Sequence, residues 1–416
     1  MIMNAEQKYI DISWDFRSAN TKQYTHCYHN YPAMMIPQIA HRLIELYGKN
    51  AKTLFDPYCG TGTSLVEANL QGINAFGTDI NPMARLIAEA KTTLIELQIL
   101  DLYLKEFNDF LFSLVFGIQK PNIVMTNFKN IDFWFTKEVK EKLAVIKWFI
   151  NSIKDENIKK FFLVAFSETI RESSLTRNSE FKLYRMSEKQ RVNFNPDVYG
   201  AINYKLARNR IGLKDYITQK KNSSETKIYA FDSSKNISEI EEESIDIVVT
   251  SPPYGDSKTT VAYGQFSRLS NQWLGFENAS QLDNQLMGGK LQNIKNSGID
   301  IVDNLVAKIA DKDEKRAKEV YSFYKDYINS ISNVSKVIKK NGYACYVVGN
   351  RRVKDITLPT DEITKYIFQE HGFEYKNTFI RNIPNKRMPS KNSPTNEIGK
   401  KATTMNKEYI VIVQKQ

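Results

Sequence analysis

Residues 53–82 read TLFDPYCGTGTSLVEANLQGINAFGTDINP, and the order of apolar and turn-forming residues in them decides the fold. Residues 53–56 are a short apolar run ending at an acid, with the length and composition of a buried strand. PYCGTGT supplies a glycine turn, and Leu65, Val66, Ala68 and Leu70 suit a packed helix that Gly72 ends. Residues 74–78 read as a second strand closing on Asp79, and Pro82 opens a helix reaching about Thr92, a position where proline sacrifices no helical hydrogen bond. Strand, helix, strand, helix over 53–92 requires a crossover, hence a parallel sheet with helices packed on its faces.

Outward from that unit the rhythm breaks. From about 96 to 225 the segments 97–117, 136–153 and 158–172 read as amphipathic helices, 173–195 is polar and basic, and strand signals are weak. The βα alternation returns with KIYAFD (227–232) and SIDIVVT (244–250). Residues 256–315 read as loop apart from 299–310. A helix over 317–339, a strand over 343–349, a helix over 360–371 and the strands FEYKNTFI (373–380) and KEYIVIVQK (407–415) follow, the last two able to pair antiparallel across NIPNKRMPSKNSPTN. The expected architecture is therefore α/β, a mostly parallel sheet divided as 1–95 and 226–416 around a mainly helical insertion at 96–225.

The 416 residues, 42% apolar and 25% charged, fit neither a disordered chain nor a membrane protein. No apolar run reaches the roughly 18 residues that span a bilayer, and the first thirty lack a signal-peptide core, so the expected location is the cytoplasm. Three cysteines and four histidines, with no Cys-x-x-Cys pair, argue against a disulfide framework or a metal site. The net charge of +11 is unevenly spread: 101–226 holds 22 basic against 15 acidic side chains and 341–416 holds 13 against 7, while the other two blocks are close to neutral. A neutral core flanked by basic parts suits a polyanion partner; a Lys-rich coding bias would give the same total.

Two constellations carry chemistry. In the first, Gly60 and Gly62 sit at a strand-to-helix turn and Asp79 follows Gly62 by 17 residues at the end of the next strand. Such glycines let the backbone approach a ligand, and such an acid accepts from both hydroxyls of a ribose, so a nucleoside cofactor is the expected guest. The dinucleotide and P-loop patterns are both broken, because no third glycine and no lysine stand at the required places. The second is Ser251-Pro252-Pro253-Tyr254, directly after the apolar run ending at Thr250. Two prolines leave the Pro252 carbonyl without a sheet partner, so it and the Ser251 hydroxyl can accept both hydrogens of an exocyclic amino group, while the Tyr254 ring stacks on the base.

Taken together, FDPYCGTGT, TDINP, FDSS and TSPPY resemble motifs I to IV of the S-adenosylmethionine-dependent amino-methyltransferases of DNA, and HNYPAMMIPQIAHRLI (29–44) resembles their motif X. Ser rather than Asp at the head of the PPY motif is similar to the N4-cytosine branch. The resemblance implies a Rossmann-like methyltransferase fold with a seven-stranded sheet and S-adenosylmethionine as cofactor. It places Asp56, Gly60 and Gly62 around the methionine part and Asp79 on the ribose. Asp232 or Ser233 would meet the adenine amino group and Phe231 or Ile80 its ring, with Pro32, Pro57, Cys59, Thr61, Thr63 and Asn81 completing the cofactor site. Ser251, Pro252, Pro253 and Tyr254 would form the catalytic site. The implied partner is double-stranded DNA, with a cognate restriction endonuclease possible in a restriction-modification pair, and no metal or membrane.

The insertion stands where the family does not usually carry one, so the recognition region has two basic candidates. One is Arg171, Arg177, Lys182, Arg185 and Arg191; the other is Arg381, Lys386, Arg387 and Lys391. Phe133, Trp134, Phe135, Trp148 and Phe149 read as the insertion's core rather than as a stacking platform, and His26 and His29 lie near motif X. Methylation of adenine N6, an RNA enzyme acting on guanine N2 of a tRNA, and a non-catalytic specificity subunit remain the alternatives.

Overall fold

The computed structural model of the chain describes residues 10–118, 121–178, 180–221, 224–256, 260–383, 391–392, 402–403 and 405–416. Seven strands form the main sheet: β1 (Thr53–Asp56), β2 (Asn74–Thr78), β3 (Thr226–Tyr229), β4 (Ile245–Thr250), β5 (Ile338–Val348), β6 (Phe373–Asn382) and β7 (Lys407–Lys415), in the order β3-β2-β1-β4-β5-β7-β6. The first five are parallel, and β7 runs antiparallel to both β5 and β6. The chain winds outward in one direction from β1 to β3 and in the other from β4, so a crevice opens beyond the carboxyl ends of β1 and β4, where open α/β sheets bind ligands.

The helices of eight or more residues are α1 (Pro37–Tyr47), α2 (Thr63–Leu70), α3 (Pro82–Thr92), α4 (Leu97–Val115), α5 (Lys137–Ser152), α6 (Glu156–Ser173), α7 (Val198–Gln219), α8 (Tyr263–Leu274), α9 (Asp300–Ala310), α10 (Glu314–Val337) and α11 (Thr360–Glu370). Alternating strand residues feed two cores. Leu54, Ile247, Cys345 and Val347 pack with Ile39, Leu43 and Leu65 of α1 and α2. Phe55, Val248, Ala344 and Tyr346 face Tyr327 and Ile331 of α10 and Ile363 and Phe368 of α11. Among the described residues no helix is long and apolar enough to cross a membrane.

Among the described residues, those between α3 and β3 contribute helices and no strand of the main sheet. Phe107, Leu143, Phe149, Phe162 and Leu206 from that region share one continuous core with Met83 and Ile87 of α3, Phe266 and Trp273 of α8 and Tyr28 and Tyr31. The inserted helices are thus fused to the sheet domain. Of helices α1 to α11, α1, α7 and α8 were not read from the sequence, the last two for one reason. The buried side of α8 includes Gly264, Ser267, Ser270 and Asn271, and that of α7 includes Lys205, Asn209 and Gly212, so small and polar residues break the apolar periodicity. Of the aromatic group, Phe135 and Phe149 are buried as expected, whereas Phe133 and Trp148 are 45% and 38% exposed.

Gly62 caps α2 at φ +75°, and a Cβ there would stand 2.9 Å from the Cβ of Ala88 on α3. Gly275 has φ +79° with open space around it. Both alanine substitutions meet the left-handed penalty of roughly 1–2 kcal/mol, but only Gly62→Ala adds overpacking of about 1–3 kcal/mol. Gly62→Ala should therefore lower the urea midpoint clearly more than Gly275→Ala, and equal midpoints would mean that the two helices are not in close contact.

Candidate active site

The site is assembled around the end of β1. Asp56 is buried, and its carboxylate accepts from the Tyr58 N–H (3.0 Å), the Thr250 hydroxyl at the end of β4 (2.5 Å) and the Ser64 hydroxyl in α2. The glycine turn is closed by Cys59 N–H to Thr78 O (3.0 Å) and Gly62 N–H to Cys59 O (2.7 Å). Asp79 stands opposite, its two oxygens accepting from Gly60 N–H (3.1 Å) and Asn81 N–H (2.7 Å). Burial pushes both Asp56 and Asp79 up to about 6. Asn81 caps α3 and donates through its amide to Tyr31 Oη (2.7 Å) and Ser267 Oγ (2.8 Å), tying the segment before α1 and helix α8 to the rim.

One pocket occupies the crevice. Pro32, Asp56, Pro57, Cys59, Gly60, Thr61, Thr63, Asp79, Ile80, Asn81, Phe231, Asp232, Ser233, Ser251 and Pro253 line it, while Gly62, Pro252 and Tyr254 are their sequence neighbours and are not among the lining residues. Sequence reasoning gave no role to Tyr58, Thr78, Gly255, Tyr263, Leu286 and Met287, which also line it, nor to individual residues of 31–35 other than Pro32. Tyr31, Ala33, Met34 and Met35 belong to the motif X-like stretch; Tyr263, Leu286 and Met287 lie in the stretch read as loop, where no local signal marks them. Among the described residues the wall holds three carboxylates and no lysine or arginine, which suits a cationic ligand and disfavours phosphates. Asp232 accepts from the N–H and hydroxyl of Ser234, and buried Ser233 accepts from Ser330, which in turn accepts from Tyr58 Oη.

The Ser-Pro-Pro-Tyr turn reaches the same crevice from β4. Pro252 is buried, and Ser251 Oγ lies 3.3 Å from Tyr254 Oη. The Tyr254 ring lies beside Gly349, where an added Cβ would come within 2.8 Å of Cδ2. Its hydroxyl donates to Glu408 Oε1 (2.9 Å). His26 and His29 are buried, and desolvation pulls both down to about 4; His26 Nε2 pairs with Glu67 at 2.8 Å, so both are neutral packing groups.

The basic candidates separate. Arg171 is buried, its guanidinium donating to the carbonyls of Phe266 (3.1 Å) and Glu180 (2.6 Å) and stacking 4.1 Å over the Phe266 ring. Arg381 is 2% exposed and is spent on Trp14 O, Asp15 O and Glu408. Neither has surface to offer a phosphate, which corrects their assignment as DNA contacts. Arg177 is exposed, Lys182 and Arg191 are partly so, and Arg185 lies 4.1 Å over Phe133. Lys386 and Arg387 lie outside the described residues, and so does the side chain of Lys391.

A glycine turn and an acid at the switch point of this sheet, above an acid-lined pocket with Ile80 and Phe231 as apolar wall, define a Rossmann-like methyltransferase. A family model described as DNA methylase matches residues 2–90 and 245–416. The chain is 44% identical to Type II methyltransferase M.MvaI of Kocuria varians, over 96% of this chain and 93% of that protein. It is 29% identical to Type II methyltransferase M.MjaII of Methanocaldococcus jannaschii over 37% and 30% of the two chains, and 42% identical over 52 residues to the tRNA (guanine(10)-N2)-dimethyltransferase of Methanothermobacter thermautotrophicus, 12% and 16% of the two chains. The chain belongs to the DNA methylase family, and S-adenosylmethionine is its methyl donor. The pocket fits that group: the sulfonium and amino charges are positive, and Asp79 offers the acceptor that vicinal hydroxyls need. Among the described residues no cluster of His, Cys, Asp or Glu could hold a metal ion.

Only ionised Asp79 accepts from two hydroxyls, and its carboxyl titrates at about 6. Affinity for S-adenosylmethionine should hence be full at pH 8 and fall as the pH drops through 6 toward 5. Asp79→Ala should weaken binding tenfold or more at pH 8, at roughly 1.5–3 kcal/mol per charge-assisted bond. Calorimetry at pH 5 and 8 checks both, and unchanged affinity would remove Asp79 from the cofactor site.

Proposed function

We propose that the protein methylates the exocyclic N4 of cytosine at a specific sequence in double-stranded DNA, taking the target base out of the stack into the crevice. The observation that carries this reading is that Ser251 and Pro253 line the same pocket as Asp79, so the turn after β4 and the cofactor site open onto one space. When bound, S-adenosylmethionine supplies an electrophilic methyl group. An exocyclic amine is a poor nucleophile because its lone pair is delocalised into the ring, so the protein's contribution is positioning and hydrogen-bond acceptance. Ser251 Oγ and the Pro252 carbonyl accept the two amine hydrogens and turn the lone pair toward the methyl group. A serine at the head of the PPY motif favours cytosine N4 over adenine N6. The family and the Kocuria varians relative support DNA as the substrate, and the relative's Type II label supports a companion restriction endonuclease of the same specificity, both acting in the cytoplasm.

Expression in a methylation-free host followed by single-molecule sequencing should show N4-methylcytosine in one sequence context; N6-methyladenine there would overturn the base assignment, and unmodified DNA the activity. Ser251→Ala should slow single-turnover methylation tenfold or more while leaving cofactor affinity unchanged.

The exposed cations of the insertion are the proposed phosphate contacts. Neutralising one cation that meets a phosphate should reduce the slope of log affinity against log salt by about one unit, so Arg177→Ala combined with Arg191→Ala should reduce it by about two. An unchanged slope in a filter-binding titration would move the DNA-binding surface away from 171–191.

A further inference from the structure

Tyr254 is the near end of a hydrogen-bonded line that the motif alone does not contain. Its hydroxyl donates to Glu408 Oε1 at 2.9 Å, and Glu408 Oε2 accepts from Arg381 Nη1. Glu408 and Arg381 stand directly opposite each other on β7 and β6. Arg381 is held in turn by the carbonyls of Trp14 (2.8 Å) and Asp15 (3.2 Å). On the other side of Tyr254, Ser251 Oγ lies 3.3 Å from the phenol oxygen and lines the pocket.

A buried ion pair is weak evidence for stability, since desolvation offsets most of its attraction. Its position here suggests another use. A serine hydroxyl can donate or accept, whereas an exocyclic amine brings two donors and needs acceptors. The Glu408 carboxylate, paired with the Arg381 guanidinium, offers Tyr254 an acceptor. Burial and the nearby Glu408 charge hold the Tyr254 phenol well above its usual range, so it remains protonated. Its one hydrogen goes to Glu408, and its oxygen is left to accept from Ser251.

We propose that Glu408, fixed by Arg381, is a positioning residue that sets the hydrogen-bond direction through Tyr254, so that Ser251 spends its own proton on Tyr254 and presents only lone pairs to the substrate amine. This rests on the reading that Ser251 accepts from the amine. It assigns a role to the Tyr254 hydroxyl as well as to its ring.

The test is a pair of double-mutant cycles read by single-turnover methylation of duplex DNA by the full chain, with cofactor affinity and thermal midpoint measured alongside. Tyr254→Phe keeps the ring and the Arg381–Glu408 pair; it should lower the rate about tenfold, the worth of one hydrogen bond, with cofactor affinity unchanged. Glu408→Gln should do the same, and the double variant should be no more than about twofold slower than the slower single. Glu408→Gln leaves the Arg381 charge uncompensated; should it fail to fold, the second cycle decides. In a Ser251→Ala background Tyr254→Phe should have no further effect, because the hydroxyl acts through Ser251. A wild-type rate in Tyr254→Phe with a slow Ser251→Ala, or additive losses in either cycle, would overturn the relay and leave Ser251 in its role. A wild-type rate in Ser251→Ala would overturn the reading of Ser251 itself.

Discussion

The structure depends on a single buried carboxylate. Asp56 at the end of β1 gathers Thr250 from the end of β4, Ser64 from α2 and the Tyr58 N–H from its own turn. β1 and β4 are neighbours at the point where the strand order reverses, yet Asp56 and Thr250 are 194 residues apart in the chain. One acid therefore joins the glycine turn after β1 to the Ser-Pro-Pro-Tyr turn after β4. The cost is desolvation, visible in a carboxyl raised to about 6. Such a group favours the fold most below its unfolded value near 4, and that contribution is lost as the pH rises through about 6; the three donors offset the burial of its charge above that point.

A second consequence of the same crevice is that its walls come from distant parts of the chain. Asn81 bonds Tyr31 on one side and Ser267 of α8 on the other, so the motif X-like segment and the helix after the Ser-Pro-Pro-Tyr turn meet at the acid end of β2. The helices between α3 and β3 pack into that junction and share its core. The insertion is thus mechanically continuous with the rim of the pocket, and its exposed cations, Arg177 and its neighbours, are carried on a surface fixed relative to the site.

The antiparallel edge has a comparable part. β7 lies between β5 and β6 and brings Glu408 up to Tyr254, while Arg381 on β6 reaches the carbonyls of Trp14 and Asp15. The segment before α1 is anchored there as well, by the Asp11 N–H to Ile380 O bond (2.8 Å) and by Trp14 against Phe379. The Ser-Pro-Pro-Tyr turn is therefore held from both directions, by Asp56 through Thr250 and by the last two strands through Tyr254.

The sequence by itself determined the parallel α/β unit at 53–92, the later strands and most of the pocket wall, because each is written in contiguous residues: period-two and period-3.6 patterns, glycine turns and the acids that end strands. It did not disclose α7 and α8, whose buried sides contain polar residues that find partners only in the folded chain. The basic residues show the limit most clearly. Arg171 and Arg177 are the same letter six positions apart, and only the carbonyls of Phe266 and Glu180 make the first a buried structural group and leave the second in solvent. Leu286 and Met287 at the pocket and Glu408 behind Tyr254 were likewise decided by tertiary structure, since a contact across more than 150 residues is set by how sheet and helices stack and leaves no mark on the local sequence.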